Sequence, residues 1–333
     1  MKRDIRAIDE KHAANLTKKI LSLTGPVYAE ILKGGYSGCY TFVVNSNSQK
    51  YVIRFLENKS KDFRQKEITN LKIASKKGCG PHIYFADVEQ SVVIMEYLLN
   101  QNISQQQRES DLLYIELAKL LQKIHSGQTF EGCINIFDWI QGQIDNVKNF
   151  VETKAIKGIP LIKLEDIIKI ASEVFSSDAV KLPCHNDLNP GNLMFLGDKF
   201  KAIDYEHAAM GNPYYDIAQI LIFNCTSIIN EKILLFSYFG RQPTKDEEAK
   251  IYLMKLAAWI FDSVFLLQVY PEKLYKYENL QLPSNIDFIK EMAKGKIDLE
   301  NPEEVLKYSK FVINHVITEF ESLEFDKAVK NIE

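Results

Sequence analysis

A single change of period divides this chain and limits what it can fold into. From about residue 28 to 97 the apolar residues come in short strand-like runs, YAEILK, CYTFVV, YVIRFL, HIYFAD and VVIMEY, with NSNSQK as the turn between the second and third. One charged, helix-period stretch interrupts them, from about Asp62 to Lys77, and the Gly78 to Pro81 breaker ends it. Short runs joined by short turns pair antiparallel, so this half reads as a small antiparallel sheet with one main helix. Beyond LLNQNISQQQ the apolar spacing becomes three and four, first in DLLYIELAKLLQKIH. Further helices are expected near 136–156, 163–177, 244–271 and 302–325. One strand signal breaks this series, LMFLGDKFKAID, with Gly197-Asp198 as a two-residue hairpin link. The fold class expected is α+β in two lobes. The small N-terminal lobe takes residues 1–97, the larger and mostly helical lobe 98–333, and the connection falls at about 95–100.

Composition excludes some partners. A formal net charge of −3, with Lys and Arg scattered along the chain, offers no basic face for nucleic acid. No apolar run reaches spanning length: LAAWIF is cut by Asp262 before VFLLQVY, so membrane insertion is not expected. The opening MKRDIRAIDEKHAANLTKK is too charged for a leader's apolar core. Five separated cysteines without a C-x-x-C pair read as free thiols in a reducing, cytoplasmic setting. The pattern carries no signal for an oligomeric state.

The chemistry concentrates in CHNDLNPGN, residues 184–192, which suits neither helix nor strand. Asp187 is followed five residues on by Asn192, then by the expected hairpin, then by Asp204 at its exit. That order and spacing match a kinase catalytic-loop Asp, its Asn, and a downstream metal-binding Asp. An ionised Asp187 accepts or aligns the proton of a hydroxyl nucleophile. Asn192 and Asp204 offer the oxygen ligands that Mg²⁺ takes beside nucleotide phosphates. A polar turn capping its own backbone would explain one such residue, but not the ordered set.

Upstream, KGGYSGCYTF sets Gly35, Ser37 and Gly38 between two strand-like runs, where backbone amides can approach phosphates. An ordinary hairpin turn reads the same way. Arg54 interrupts an apolar run. It is either an outward charge on an edge strand or a phosphate clamp, and Glu67 on the following helix could hold it as an ion pair.

HNDLNPGN at 185–192, IDYEHAAMGNPYYDIA at 203–218, GGYSG at 34–38 and MEY at 95–97 together resemble the aminoglycoside phosphotransferase and choline kinase group, which shares a protein-kinase-like fold. The resemblance runs from about residue 20 to 272. It implies ATP held between the lobes, its adenine on Met95, Glu96 and Tyr97, Mg²⁺ as cofactor, and transfer of the γ-phosphoryl group to a small-molecule hydroxyl. IDYE and Arg54 resemble the choline kinase branch. No A-P-E segment follows Asp204, which argues against a protein kinase.

For the acceptor, strand alternation would turn Glu206 to the same side as Asp204, adding a carboxylate that attracts a cation. Trp259 and Asp262 lie three apart on an expected helix and share a face fit for an ammonium group. Choline kinases usually show two tryptophans three apart here, and the second is missing. The acceptor expected is a cationic amino alcohol of choline or ethanolamine type, with thiamine or an aminoglycoside as alternatives. A catalytically silent nucleotide-binding scaffold is the reading from a different class. His185 reads as a fixer of the loop backbone, Asp216 as an N-cap or an anchor for the loop, and His207 as a rim residue.

Overall fold

The computed structural model describes residues 8–32, 38–47, 49–154, 159–177, 180–269, 280, 282, 288 and 297–332. Five antiparallel strands form the N-terminal sheet: β1 Val27–Ile31, β2 Tyr40–Ser46, β3 Gln49–Phe55, β4 Ile83–Asp87 and β5 Val92–Glu96. Their order is β1-β2-β3-β5-β4, which makes β3 the central strand. Arg54 therefore sits mid-sheet, opposite Thr41 on one side and Val93 on the other, and is not an edge charge.

The two faces of the sheet bury different things. Phe42, Val44, Ile53, Phe55 and Ile94 form one cluster with Ala13 of α1, Glu10–Ile20, which packs on β1 and β2. This helix is not among those expected from the sequence, although Ala13, Leu16, Thr17 and Ile20 share one face at helical spacing. Asp9 caps it by accepting from the His12 amide. The other face turns Val93 toward α2, Lys61–Lys77, and the second lobe. Ser60 caps α2 by accepting from the Phe63 amide, and Gly78 ends it at φ 71°, a left-handed value that glycine adopts without cost.

Beyond the connection come α3 Gln105–Arg108, α4 Asp111–His125, α5 Ile136–Lys154 and α6 Leu161–Val174. Two short ladders follow, β6 Leu182–Cys184 with β9 Ala209–Gly211, and β7 Leu193–Phe195 with β8 Phe200–Ala202. The β7–β8 link spans 196–199, closed by the Leu196 amide donating to the Lys199 carbonyl. With 196 paired to 199, the turn proper is Gly197-Asp198, the two-residue link that the sequence suggests.

The C-terminal lobe continues through α7 Pro213–Asn224, α8 Ile228–Phe239 and α9 Lys245–Val269. The span expected as one helix over 302–325 is two, α10 Pro302–Phe320 and α11 Leu323–Asn331, because Ser322 caps a new start. Helix α9 is the hub, packing on α5, α7, α10 and α11. It is long and apolar enough to cross a membrane, yet 61% of its most apolar window is buried inside the protein. Leu253, Leu256, Val264 and Leu267 are wholly or almost wholly buried, each contributing about 1.5–3 kcal/mol. None of the five cysteines forms a disulfide.

Candidate active site

The polar loop hangs from α7. Asp216 accepts the His185 amide on Oδ2 and the Asn186 amide on Oδ1, both at 2.7 Å, and faces His125 Nε2 at 3.1 Å. Gln219 Oε1 accepts the Leu188 amide at 2.9 Å. The cap of α7 is Asn212, so Asp216 serves as the loop's anchor. His125, Cys184 and Asp216 are buried within 4.8 Å of one another. Both Asp216 oxygens are already occupied, so the group reads as a polar clamp. Asn186 takes φ 65°, which asparagine tolerates better than most residues, and its amide donates to the His207 carbonyl at 3.0 Å. His185 lies 2.9 Å from the Ile203 carbonyl through Nε2, tying the loop to the segment that carries Asp204.

Held this way, Asp187 meets two amides. Asn189 Nδ2 donates to Oδ1 and Asn192 Nδ2 to Oδ2, each at 2.8 Å. Asn192 Nδ2 also donates to the Asp187 carbonyl at 2.9 Å, and the Asn192 carbonyl accepts the Ile203 amide. With its nitrogen committed to Asp187, Asn192 turns its Oδ1 the other way. Burial pushes the Asp187 carboxyl above the ordinary carboxylate range, against the lowering influence of His185, Asn189 and His207.

Arg54 gathers the charges of both lobes. Its Nη1 donates to Asp204 Oδ1 at 2.8 Å and pairs with Glu67 Oε1 at 3.1 Å, and its Nη2 reaches Glu206 Oε2 at 3.4 Å. Lys59 Nζ approaches the same Glu206 oxygen at 3.2 Å. Burial alone would lower the Arg54 pKa, but Asp204 and Glu67 outweigh it and raise it. Burial would likewise raise Asp204, and the Arg54 charge and hydrogen bond hold it below its ordinary value. Glu67 is pushed up to about 7 by burial, which Arg54 only partly offsets, and its Oε2 has no hydrogen-bond partner among the described residues.

Glu206 reaches this cluster by a different route from the one expected. Asp204 adopts φ 63°, and Tyr205–His207 form a single 3-10 turn, so period-two alternation does not apply. The turn swings Glu206 onto Arg54 and Lys59, where it is already neutralised. Tyr205 is buried and donates to the Cys79 carbonyl at 3.1 Å, fixing the turn beneath α2. Asn70 of α2 completes the docking, donating to the Ala208 and Glu131 carbonyls and accepting the Glu131 amide.

Of the glycine-rich stretch, Gly35 and Ser37 lie outside the described residues. Gly38 takes φ 69°, its carbonyl accepts Asn58 Nδ2, and a Cβ there would stand 3.1 Å from that nitrogen. Met95 and Glu96 end β5, with Tyr97 directly after. Glu96 Oε2 accepts from Lys201 Nζ at 2.8 Å and from the His82 amide at 3.0 Å. Burial would raise this carboxyl, and those bonds hold it below its ordinary value. Lys50 sits 5.4 Å over the Tyr97 ring.

The two α9 residues part company. Asp262 is near enough to Asp187 for that charge to bear on its own titration. The Trp259 ring packs against His315 at 4.8 Å with Lys255 Nζ 5.9 Å above it, a cation already in place, and no described contact joins it to the loop. Residues that sequence reasoning passed over include Lys59, Asn70, Asn189, Gln219, Tyr215 and Tyr308. A buried asparagine inside a helix is the kind of signal that could have marked Asn70. The rest are ordinary until the helices pack.

A strand-borne cation, a loop carboxylate and two further oxygen donors thus meet where a small sheet lobe joins a helical one, the build of a protein-kinase-like phosphotransferase. The chain belongs to the phosphotransferase enzyme family named APH, whose model matches residues 29–231. Protein LicA of Haemophilus influenzae is 26% identical over 186 residues, 54% of this chain, and that match spans about half, 53%, of the relative's length. A choline/ethanolamine kinase family protein from Mesorhizobium loti shares the fold at a TM-score of 0.64 and 17% identity, over 95% of this chain and 98% of that one. Choline kinase LicA from Streptococcus pneumoniae shares it at 0.62 and 18% identity, over 92% and 99%.

Proposed function

We propose that this chain is an ATP-dependent kinase that transfers the γ-phosphoryl group to the hydroxyl of a small, amine-bearing alcohol. The observation carrying the reading is that Asn192 holds Asp187 at 2.8 Å while Arg54 holds Asp204 at 2.8 Å, with the Asp204 charge bearing on Asp187. The nucleotide site lies between an N-terminal lobe of residues 1–97 and a C-terminal lobe of 98–333, the adenine against Met95, Glu96 and Tyr97.

Asp187, held from two sides by Asn189 and Asn192, aligns the acceptor hydroxyl and takes its proton as the oxygen attacks. Arg54 and the backbone amides of the glycine-rich stretch, Gly35, Ser37 and Gly38, hold the phosphates, and Glu67 steers Arg54. Asn192 Oδ1 and the ionised Asp204 are hard oxygen donors whose chemistry fits Mg²⁺. Bound there, Mg²⁺ supplies charge neutralisation on the transferring group. In this structure Arg54 rests on Asp204, so nucleotide binding must share or exchange that contact.

The choline and ethanolamine kinases among the structural relatives support an amino alcohol acceptor, as does the Asp262 carboxylate near Asp187. ADP release across a panel of amino alcohols, amino sugars and thiamine tests this, and turnover of one amino alcohol well above the rest is expected. Asp187→Ala should lower turnover by about 10²- to 10⁴-fold while leaving ATP affinity nearly unchanged. Asp204→Ala should remove the Mg²⁺-dependent activity. An equally active Asp187→Ala protein refutes the base, and ATP binding without turnover of any acceptor favours the silent scaffold.

A further inference from the structure

The β7–β8 hairpin links the two oxygen donors of the crevice. Asn192 stands directly before β7, and Asp204 follows two residues after β8. Leu193, Phe195, Phe200 and Ala202 turn one face of the hairpin into a buried cluster shared with α4 and α7. Met194 and Lys201 are cross-strand partners and share the opposite face.

That opposite face is tied to the other lobe. Lys201 Nζ donates to Glu96 Oε2 at 2.8 Å, and the same oxygen accepts the His82 amide at 3.0 Å. The chain leaving Glu96 then grips the partner strand. Asn100 Oδ1 accepts the Phe195 amide, and the Phe195 carbonyl accepts the Gln101 amide, both at 2.8 Å. Gly197, at φ 96°, leaves room for Gln101, whose Oε1 would stand 3.1 Å from a Cβ there. Behind the hairpin, the Ala202 amide donates to the Cys79 carbonyl at 2.8 Å.

Asp187 is suspended differently. Asp216 and Gln219 of α7 hold the backbone on both sides of it, at His185, Asn186 and Leu188. The crevice is therefore hung from two places: the loop carboxylate from α7, the hairpin from the segment that ends β5. The Lys201 and Glu96 side chains are 17% and 35% exposed. An ion pair this open adds little to stability, so removing it should leave the fold standing and reveal its effect on alignment.

We propose that Lys201 is a positioning residue, the clamp that makes Met95–Tyr97 and the hairpin between Asn192 and Asp204 move as one body. A nucleotide resting on the first is thereby kept in register with a cation held at the ends of the second. This rests on reading Met95–Tyr97 as the adenine segment and Asn192 and Asp204 as the Mg²⁺ donors, and it adds the residue that couples them.

Calorimetric binding of ADP with and without Mg²⁺ reads the clamp without any acceptor. In the intact protein each ligand should strengthen the other, by about 5- to 150-fold. Lys201→Met should cut that coupling by about fivefold or more while metal-free ADP affinity stays within about twofold. Lys201→Arg, which keeps the charge and the donor, should retain most of it. Should Lys201→Met not fold, Lys201→Gln carries the same comparison. Hydrogen exchange gives a second readout with no metal present: ADP should slow the amides of 92–97 and of 193–204 together in the intact protein, and the second set much less in Lys201→Met. Strong coupling that Lys201→Met leaves unchanged, or joint protection that survives it, overturns the clamp alone. Absence of ADP binding, or ADP binding indifferent to Mg²⁺ in the intact protein, refutes the nucleotide and metal reading and the clamp with it.

Discussion

Asp216→Asn tests how the polar loop that carries Asp187 is held, with almost no change in shape. The carboxylate accepts two buried backbone amides at 2.7 Å, from His185 and Asn186, and faces His125 at 3.1 Å. An asparagine keeps one acceptor oxygen and turns an NH₂ toward the other backbone donor. One buried N–H is then left unpaired, costing about 1–3 kcal/mol. The surviving bonds lose their charge assistance, a further loss of about 1–2 kcal/mol. The sum is about 2–5 kcal/mol, a large share of the roughly 5–15 kcal/mol that holds a typical domain together. Urea unfolding followed by tryptophan fluorescence reads the change, with the exposed Asp198→Asn as control. Turnover should fall more than ATP affinity, because the displaced segment carries Asp187, the proposed base, and not Met95 to Tyr97, the proposed adenine contacts. A loss under about 0.5 kcal/mol, comparable to an ordinary surface substitution, would refute the idea that Asp216 suspends the loop.

Two other outcomes follow from the charge cluster and the buried carboxyl. Arg54→Gln leaves Asp204, Glu67 and Glu206 to Lys59 and, at longer range, Lys66, so stability should drop by about 3–5 kcal/mol and the KM for ATP should rise; unchanged values in both denaturation and kinetics would contradict this. Burial raises the Asp262 carboxyl from 3.8 to about 7, so the unliganded fold binds its proton more tightly than the unfolded chain does. Its contribution is therefore complete below about pH 4 and is lost as pH rises through 7, on the order of 1–3 kcal/mol after allowing for partial exposure. Unfolding midpoints at pH 5 and pH 8 should differ less in Asp262→Asn than in the intact protein, and equal differences would count against the raised value.

Much of this protein is written in its local sequence. The spacing of Asp187, Asn192 and Asp204 is set by a short loop and a short hairpin, so chain connectivity brings these residues together however the remainder packs. The five strand runs and the helix that Gly78 ends are likewise local, because alternation, capping and left-handed glycine depend on near neighbours. Packing decided the rest. Arg54 looks like an edge charge until β5 inserts beside β3, and only then does it become the buried cation shared by three carboxylates. Glu206 follows strand logic on paper, but a left-handed Asp204 and one 3-10 turn redirect it to Arg54 and Lys59. Trp259 and Asp262 share a helix face in sequence, yet the packing of α10 gives Trp259 to His315 and leaves Asp262 beside Tyr308. Periodicity reports which side of an element is apolar. Which distant side chain meets a polar group, and whether its charge is already balanced, depends on contacts between segments far apart in the chain, and those exist only once the helices have packed.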